Sequence, residues 1–459
     1  MNNFFKFALL TLLCGGVRCD DDIDGSKKEG KSAESVTPKK SRAKEIVTST
    51  GKKFWFLPDP STDLVQIIIC FKNVGAAHQK KTKEGLPELF SHSIFCGSGK
   101  YSKNQFADQC LKIAAQISCS AGIDHLYFSL TVPKMTLSKG LALFKVLLTS
   151  PNFEEDKVKM TQLNLAYSLQ NYAANPIGVA MSSILPAMLF ELHPYGKGVA
   201  GSSEDCLMLS VIDLFDYHKS SLTLANAEIC AGGGLSSAEA VSALDQILSG
   251  IPGGKATKSS VVDVKPRLPN VIKRYYAEGP QSTIFFAQQF EKPNSSKRFS
   301  AMMLSKILGE GGVFKGRILS ELRTKAGLIY GGSVYFVDWQ HCSWMVGILQ
   351  TDNANVDKAI AQLKKIIGNL RKNGITKEEL NFAKENVMGR LLVDLRTSQN
   401  LCFFFLKRKL EGSGLEVFAD FSAGVNSVTL PDVNDLVAIM LNEEAPFIVI
   451  GGGEGGNEK

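Results

Sequence analysis

Glu88, Ser91 and His92 are the first residues in this chain whose types and spacing suggest chemistry. Four residues apart on a helix, the Glu88 carboxylate and the His92 imidazole would stand over the same turn. There they could act as two ligands of a metal site that needs further ligands from elsewhere. The same spacing also describes an ion pair on a helix surface. The segment around them, Glu84–Phe95, holds one histidine and two acids, Glu84 and Glu88. Apolar residues at Leu86, Leu89, Phe90, Ile94 and Phe95 predict a short helix with one buried face. It lies between a predicted strand, Gln66–Lys72, and a turn at Cys96-Gly97-Ser98-Gly99.

A second constellation runs from Leu308 through Gly309, Gly311, Gly312, Gly316 and Arg317 to Arg323 and Tyr330. A glycine loop ahead of a helix can cradle phosphate. No Gly-Lys-Ser/Thr follows and the preceding element reads as helix, so nucleotide binding is not supported. The glycines instead allow a tight turn and the close approach of another backbone. On residue type alone, Arg323 reads as a solvated position near a helix end. Tyr330 reads as a half-buried residue opening a strand after the Gly327 turn.

The frame around Glu88 and His92 resembles the zinc peptidases of the insulinase, pitrilysin and mitochondrial processing peptidase family. In that family Gly-Leu-x-x-x-x-x-His-x-x-Phe encloses an inverted His-x-x-Glu-His motif. On this chain the resemblance puts the first histidine at Glu88, the catalytic glutamate at Ser91 and the second histidine at His92. A serine cannot take a proton from zinc-bound water as a carboxylate does. The family's third ligand, a glutamate, would fall near Ala166–Ser168, and Lys157–Phe190 contains no Asp or Glu. The resemblance therefore implies a degenerate zinc motif at Glu88, Ser91 and His92, with no metal and no catalytic residue in this chain alone.

The same resemblance reweights the second constellation. The frame Glu-Leu-Arg-x-Lys-x-Gly-Leu-x-Tyr, Glu321 to Tyr330, is nearly unbroken, with Ala326 where the family often has arginine. In paired-subunit members an Arg and a Tyr in this frame face the zinc site of the other subunit. A guanidinium and a phenol suit holding a substrate carbonyl and the oxyanion formed from it. Arg323 and Tyr330 are thus the implied substrate-binding residues. A further shared segment is His193-Pro194-Tyr195-Gly196 followed by Gly201-x-x-Glu204, in which His193 has a structural role.

The elements that must position these residues occur twice. Each half opens on a strand, Gln66–Lys72 or Ser282–Gln288. Two helices follow, Pro87–Phe95 and Gln105–Ala114 in the first half, Lys297–Leu308 and Phe314–Thr324 in the second. Two strands come next, Gln116–Ser120 with His125–Val132, and Gly327–Asp338 with Cys342–Thr351. A helical pair follows in each half, Thr136–Leu148 with Glu154–Gln170 and Val356–Leu370 with Lys377–Leu395. Asn152-x-x-Glu155 and Thr376-x-x-Glu379 look like capping boxes ahead of the second helix of each pair. A strand running into glycines closes each half, Ala227–Gly234 and Pro446–Gly453. The predicted class is α+β: two tandem repeated domains, each a mostly antiparallel sheet covered by helices on one face. Expected boundaries are 46–253 and 268–455, joined by a Gly/Pro/Lys/Ser-rich linker at 254–267. Paired strands over Val47–Thr50 and Lys53–Leu57 open the folded part.

The chain has 459 residues, 44% hydrophobic and 21% charged, as expected of a globular protein. Its net charge of +7 is spread along the length, and no basic face interleaves with aromatics, so nucleic acid is not an expected partner. Lys6, the apolar Phe7–Leu13 and Cys14-Gly15-Gly16 read as a signal peptide over residues 1–19. Residues 20–45 read as a disordered charged linker. The apolar stretch is too short to span a bilayer, and no other segment qualifies. The expected location is exported, periplasmic or extracellular. The ten cysteines show no Cys-x-x-Cys or zinc-knuckle spacing. Buried thiols are expected at Cys70, Cys96 and Cys230, although an exported chain could form a disulfide or two.

One motif is dismantled and the other kept. That asymmetry predicts a non-catalytic subunit of an exported heterodimeric zinc peptidase. Zinc would sit on the partner chain, and an extended peptide would be held between them. A non-enzymatic scaffold or peptide-binding protein is the alternative, and a stand-alone hydrolase using Glu88 and His92 is the third reading.

Overall fold

The structure is a computed structural model, and it describes residues 43–174, 178, 190, 193–265, 271–275, 279–290, 292, 297–309, 316–440 and 447–453. The predicted signal peptide, nearly all of the charged linker and positions 310–315 of the glycine loop lie outside the described residues.

In the first half the strands are β1 (Lys44–Val47), β2 (Lys53–Pro58), β3 (Leu64–Phe71), β4 (Gln116–Ala121), β5 (Leu126–Pro133) and β6 (Ala227–Gly233). They form one sheet in the order β1-β2-β6-β3-β5-β4, antiparallel except where β2 runs parallel to β6. The second half has β7 (Val271–Tyr275), β8 (Gln281–Phe290), β9 (Gly331–Trp339), β10 (Cys342–Asp352) and β11 (Phe447–Gly451). Their order is β7-β11-β8-β10-β9, antiparallel except for β7 with β11. Apart from the β1 hairpin arm, the two sheets have the same strand order and the same single parallel pair. Identical topology from dissimilar residues is what duplication leaves behind.

The first-half helices are α1 (Leu86–Ser93), α2 (Lys103–Lys112), α3 (Leu137–Thr149), α4 (Glu155–Ala173), α5 (Ser203–Met208), α6 (Val211–Ser221) and α7 (Ser237–Leu248). In the second half α8 (Arg298–Leu308) is followed by a π-helix (Leu319–Lys325). Then come α9 (Val356–Asn373), α10 (Lys377–Asp394), α11 (Ser398–Leu410), α12 (Val417–Ser427) and α13 (Leu430–Met440). The helix expected over Phe314–Thr324 is present in its described part, and from Leu319 to Lys325 it is a π-helix. Ala326 N–H reaches back five residues to Glu321 O, at 3.2 Å, because the wider turn keeps Ile318, Leu319 and Leu322 in the core.

The capping box at Thr376 is present, with Glu379 N–H donating to Thr376 Oγ1 and Thr376 N–H to Glu379 Oε2. The one expected at Asn152 is not. Helix α4 starts after Glu154 without a side-chain cap, and Asn152 Nδ2 donates to Gly99 O at 2.7 Å instead. A positive φ of 46° at Phe153 turns the chain there, so Asn152 faces the Gly97–Gly99 turn rather than the helix.

Alternation along the strands explains the layering. On β8, Ile284 and Phe286 meet the second half's own helices, while Phe285 and Ala287 face the other way. On the first sheet, Phe56, Ile67 and Ile69 meet their own helices, and Trp55, Leu57, Ile68, Cys70 and Cys230 face away. Those outward faces are not solvated. Helix α11 of the second half packs Cys402, Phe405 and Leu406 onto the first sheet. Phe190 and Tyr195 of the first half pack against Trp339 and Trp344 of the second. Each fully buried side chain of this size contributes about 1.5–3 kcal/mol, so the halves are held by a hydrophobic seam.

Candidate functional site

Helix α1 is short because Gly85 and Pro87 fix its start: Gly85 has φ 75°, in the left-handed region, and Pro87 occupies the first turn. The Gly201 turn, φ 68°, rests directly on it, and a Cβ on Gly85 would stand 2.3 Å from Ala200 O. Lys197 pairs with Glu84 beside this contact, and Lys83 pairs with Asp213 at 2.6 Å. The segment from His193 to Gly201 is therefore what seats the first motif. His193 itself is structural in its contacts: Nδ1 accepts from Tyr195 N–H at 3.1 Å, and Nε2 donates to Val262 O at 2.9 Å.

On α1, Glu88 is 7% exposed and its Oε1 lies 3.3 Å from His92 Nε2. The hydrogen bond to Glu88 raises the His92 pKa above its ordinary value, against the opposing effect of burial. Ser91 is buried, and its hydroxyl donates to Glu88 O one turn back, at 2.9 Å. Helix α4 packs against α1, and of the expected third-ligand stretch Ala166–Ser168, Ala166 is buried without a donor atom and Tyr167 is exposed. One turn earlier Gln162 Nε2 donates to Cys206 O and Leu209 O, at 2.7 and 2.8 Å, pinning the end of α5. Cys119 and Cys206 both feel the Glu88 charge, but burial first of all keeps their thiols protonated, Cys206 up to about 11.

These residues do not fit a zinc ion. The one imidazole is committed to Glu88, the hydroxyl is spent on its own helix, and the facing helix offers a methyl group. Among the described residues no three of His, Cys, Asp and Glu come together in a way that could hold a metal.

The second constellation lies at the far edge of the second sheet. Gly327 N–H donates to Arg323 O at 3.1 Å and Leu328 N–H to Leu322 O at 2.8 Å, and Gly327, φ 62°, turns the chain into β9. Tyr330 N–H donates to Gln350 O at 2.9 Å, continuing the β9–β10 ladder by one residue. Tyr330 precedes β9 and is 49% exposed, more open than the half-buried strand position expected of it. Its phenol hydrogen-bonds Asp352 at the end of β10, which raises its pKa. Arg323 is also exposed, on a π-helix, a rare element that recurs at functional sites.

Sequence reading named Arg317 and Glu379 separately but did not pair them. Arg317 grips the Glu379 carboxylate with Nε and Nη2 at 2.6 and 2.7 Å and also reaches Gly374 O at 2.9 Å. The Thr376 capping box was the available signal, because it holds Glu379 where Arg317 meets it. Within the chain, Glu88 and His92 on the one side and Arg323 and Tyr330 on the other belong to different sheets. Among the described residues no helix is long and apolar enough to cross a membrane.

Comparison with known proteins follows the same lines. Residues 56–203 match the family profile described as insulinase (peptidase family M16), and residues 209–387 match the one described as the peptidase M16 inactive domain. The non-peptidase homolog YmxG of Helicobacter pylori is 22% identical over 368 residues, 79% of this chain and 83% of that protein. A crystal structure of a peptidase M16 inactive domain from Pseudomonas fluorescens superposes with TM-score 0.83 at 21% identity, over 91% of this chain and 99% of that one. A protease from Helicobacter pylori superposes at 0.80 with 16% identity, over 90% of this chain and 100% of the other. At those identities the two structures speak for the fold.

Proposed function

The chain belongs to the insulinase (M16) peptidase family as an inactive homologue, and on that premise we propose that it is the non-catalytic subunit of a heterodimeric zinc peptidase. The partner carries the zinc. This chain supplies Arg323 and Tyr330 to the substrate, and an extended peptide is held between the two. An exported location, periplasmic or extracellular, goes with this reading, with the signal peptide removed near residue 19.

The observation that carries the reading is the contrast between the two motifs. Glu88 and Ser91 are satisfied within the fold and Ala166 offers no ligand atom, whereas Arg323, on the π-helix, and Tyr330, just ahead of the edge strand β9, stand exposed. A relic would be free to drift, but Arg317, Glu379 and Asp352 still shape that edge. Tyr330 carries its proton at neutral pH, and to stabilise an oxyanion that O–H must turn from Asp352 to the substrate. Among the described residues β4 and β9 are terminal strands of their sheets, the kind of position to which an extended peptide strand adds.

The test is purification of the native protein from its source, with partners identified by mass. Co-purification of a chain with an intact His-x-x-Glu-His motif, and peptide hydrolysis by the pair but by neither chain alone, is the expected result. Recovery of the chain alone, or with partners lacking that motif, would leave the scaffold reading in its place.

A further inference from the structure

Cys230 and Cys402 meet in the small core between the halves. Strand β6 presents Cys230 on the face turned away from its own helices, and α11 lays Cys402 onto that face beside Phe405 and Leu406. The Cys230 thiol is near enough, together with burial, to push the Cys402 thiol well above its ordinary value, and both side chains are completely buried. Gly232, two residues along the same face of β6, makes the room: a Cβ there would stand 2.8 Å from Cys402 Sγ. Cys70 on β3 belongs to the same cluster, and burial above all pushes its thiol well above the ordinary value.

The register that brings the two sulfurs together is held independently of them. Lys409, seven residues after Cys402 and so on the same helix face, pairs with Glu228 at 3.1 Å, and Lys72 pairs with Glu228 at 2.8 Å. Glu228 in turn lies two residues from Cys230, on the same face of the strand. Trp55 meets Phe405 edge-on at 6.2 Å. Helix α11 therefore has one seat on the first sheet, and that seat faces thiol to thiol.

We propose that Cys230 and Cys402 form a redox latch, a disulfide that ties the first sheet to a helix of the second half. The oxidant is a disulfide carrier, either a small molecule or a protein, and the exchange takes place on the folding chain before α11 docks. One cysteine thiolate attacks the carrier's S–S bond, forming a mixed disulfide and releasing one carrier thiolate. Docking then presents the second cysteine, which attacks the protein sulfur of that mixed disulfide and expels the other carrier thiolate. The two cysteines lose two protons and two electrons, and the carrier leaves reduced by the same two electrons. Once closed, the bond is sealed from reductants by the same packing, and with α11 seated it opens only when the helix lifts. The latch stands apart from the peptidase-partner reading, since it concerns the joint between the halves and not the edge that holds Arg323.

The full-length chain, unfolded and reduced, is refolded in a mixture of oxidised and reduced glutathione. Remaining thiols are then alkylated and the protein is digested without reductant for mass spectrometry. The expected result is a cross-linked peptide pair containing Cys230 and Cys402 that disappears on reduction. The oxidised protein should also melt at a higher temperature than the reduced one. Cys402→Ser removes the cross-link and the shift, while Cys70→Ser keeps both. Recovery of Cys230 and Cys402 as alkylated thiols, or of either joined to Cys70 or another cysteine, overturns the latch whether or not the peptidase partner exists.

Discussion

The hydroxyl of Tyr195, in the first half, accepts a hydrogen bond from the His341 backbone N–H, in the second, at 3.1 Å. It donates its own proton to Asp124 Oδ1 at 2.7 Å, and Asp124 Oδ2 accepts from Gln340 N–H at 3.0 Å. This buried chain lies at the seam where Tyr195 also packs edge-on against Trp339, 4.9 Å between centroids. Phenylalanine at position 195 keeps the ring but leaves the His341 N–H without its acceptor and Asp124 without one donor. Tyr195→Phe should cost about 1–3 kcal/mol. Urea unfolding followed by tryptophan fluorescence reads it directly, since Trp339 and Trp344 sit in the same cluster. An unchanged midpoint would remove this hydrogen-bond chain from what joins the halves.

Acid should loosen the same region. Burial pushes the His125 pKa down to about 4, against the pull of Asp124. Between the ordinary histidine value and about pH 4 the unfolded chain takes a proton that the folded chain refuses. Stability therefore falls as pH drops through that window, by up to roughly 3 kcal/mol. Asp124 acts in the same direction at lower pH. Burial raises its pKa, but His78 at 3.8 Å, the influence of His125 and the hydrogen bonds from Gln340 and Tyr195 outweigh it, and the net value is lowered. Its contribution is lost as pH falls through that lowered value. His125→Asn keeps an acceptor near the position of Nδ1, which takes the Asn73 N–H at 3.3 Å. That variant should lose stability less steeply from pH 6.5 to 4.5, and parallel melting curves in the two proteins would refute the assignment.

Zinc should be absent from the purified chain. Protein zinc sites use three or four side-chain ligands, and of the family's set only His92 remains, already hydrogen-bonded to Glu88. Elemental analysis after dialysis should give well below one zinc per chain, and His92→Ala should not change it. A stoichiometric zinc that a chelator removes would restore the stand-alone hydrolase reading.

Arg323→Ala and Tyr330→Phe should separate catalysis from assembly in the reconstituted pair. Losing one preorganised oxyanion donor lowers kcat by about 10²–10³. Tyr330 is half exposed, so removing its hydroxyl should barely affect packing. Turnover of a quenched peptide and size-exclusion of the same samples are measured together. Full turnover with intact assembly would make both residues relics.

Gly85→Ala tests how the first motif is seated. The left-handed φ of 75° and the 2.3 Å approach to Ala200 O leave no place for a methyl group. The strain should be of order 1–3 kcal/mol or more, read as a lower melting temperature. A neutral effect would mean that the Gly201 turn can move off α1.

Much of this was legible in the chain itself. The apolar run from Ile67 to Phe71, the helical spacing of Leu86, Leu89 and Phe90, and the Thr376 capping box are local signals. Local signals survive because period and capping depend on residues a few positions apart. The duplicated order of elements was readable for the same reason, whereas the degenerate state of Glu88, Ser91 and His92 is implied by the resemblance to a family motif. Tertiary structure alone decided what each outward sheet face meets. Cys230 reads as buried, but only the docking of α11, some 170 positions later, supplies its neighbours and those of Trp55 and Ile68. The partnership of Tyr195 with His341, of Arg317 with Glu379 and of Cys230 with Cys402 likewise joins residues that no local pattern connects. Such pairs exist only once sheet order and helix register are fixed, and those are set by packing summed over a whole core rather than by any single stretch of chain.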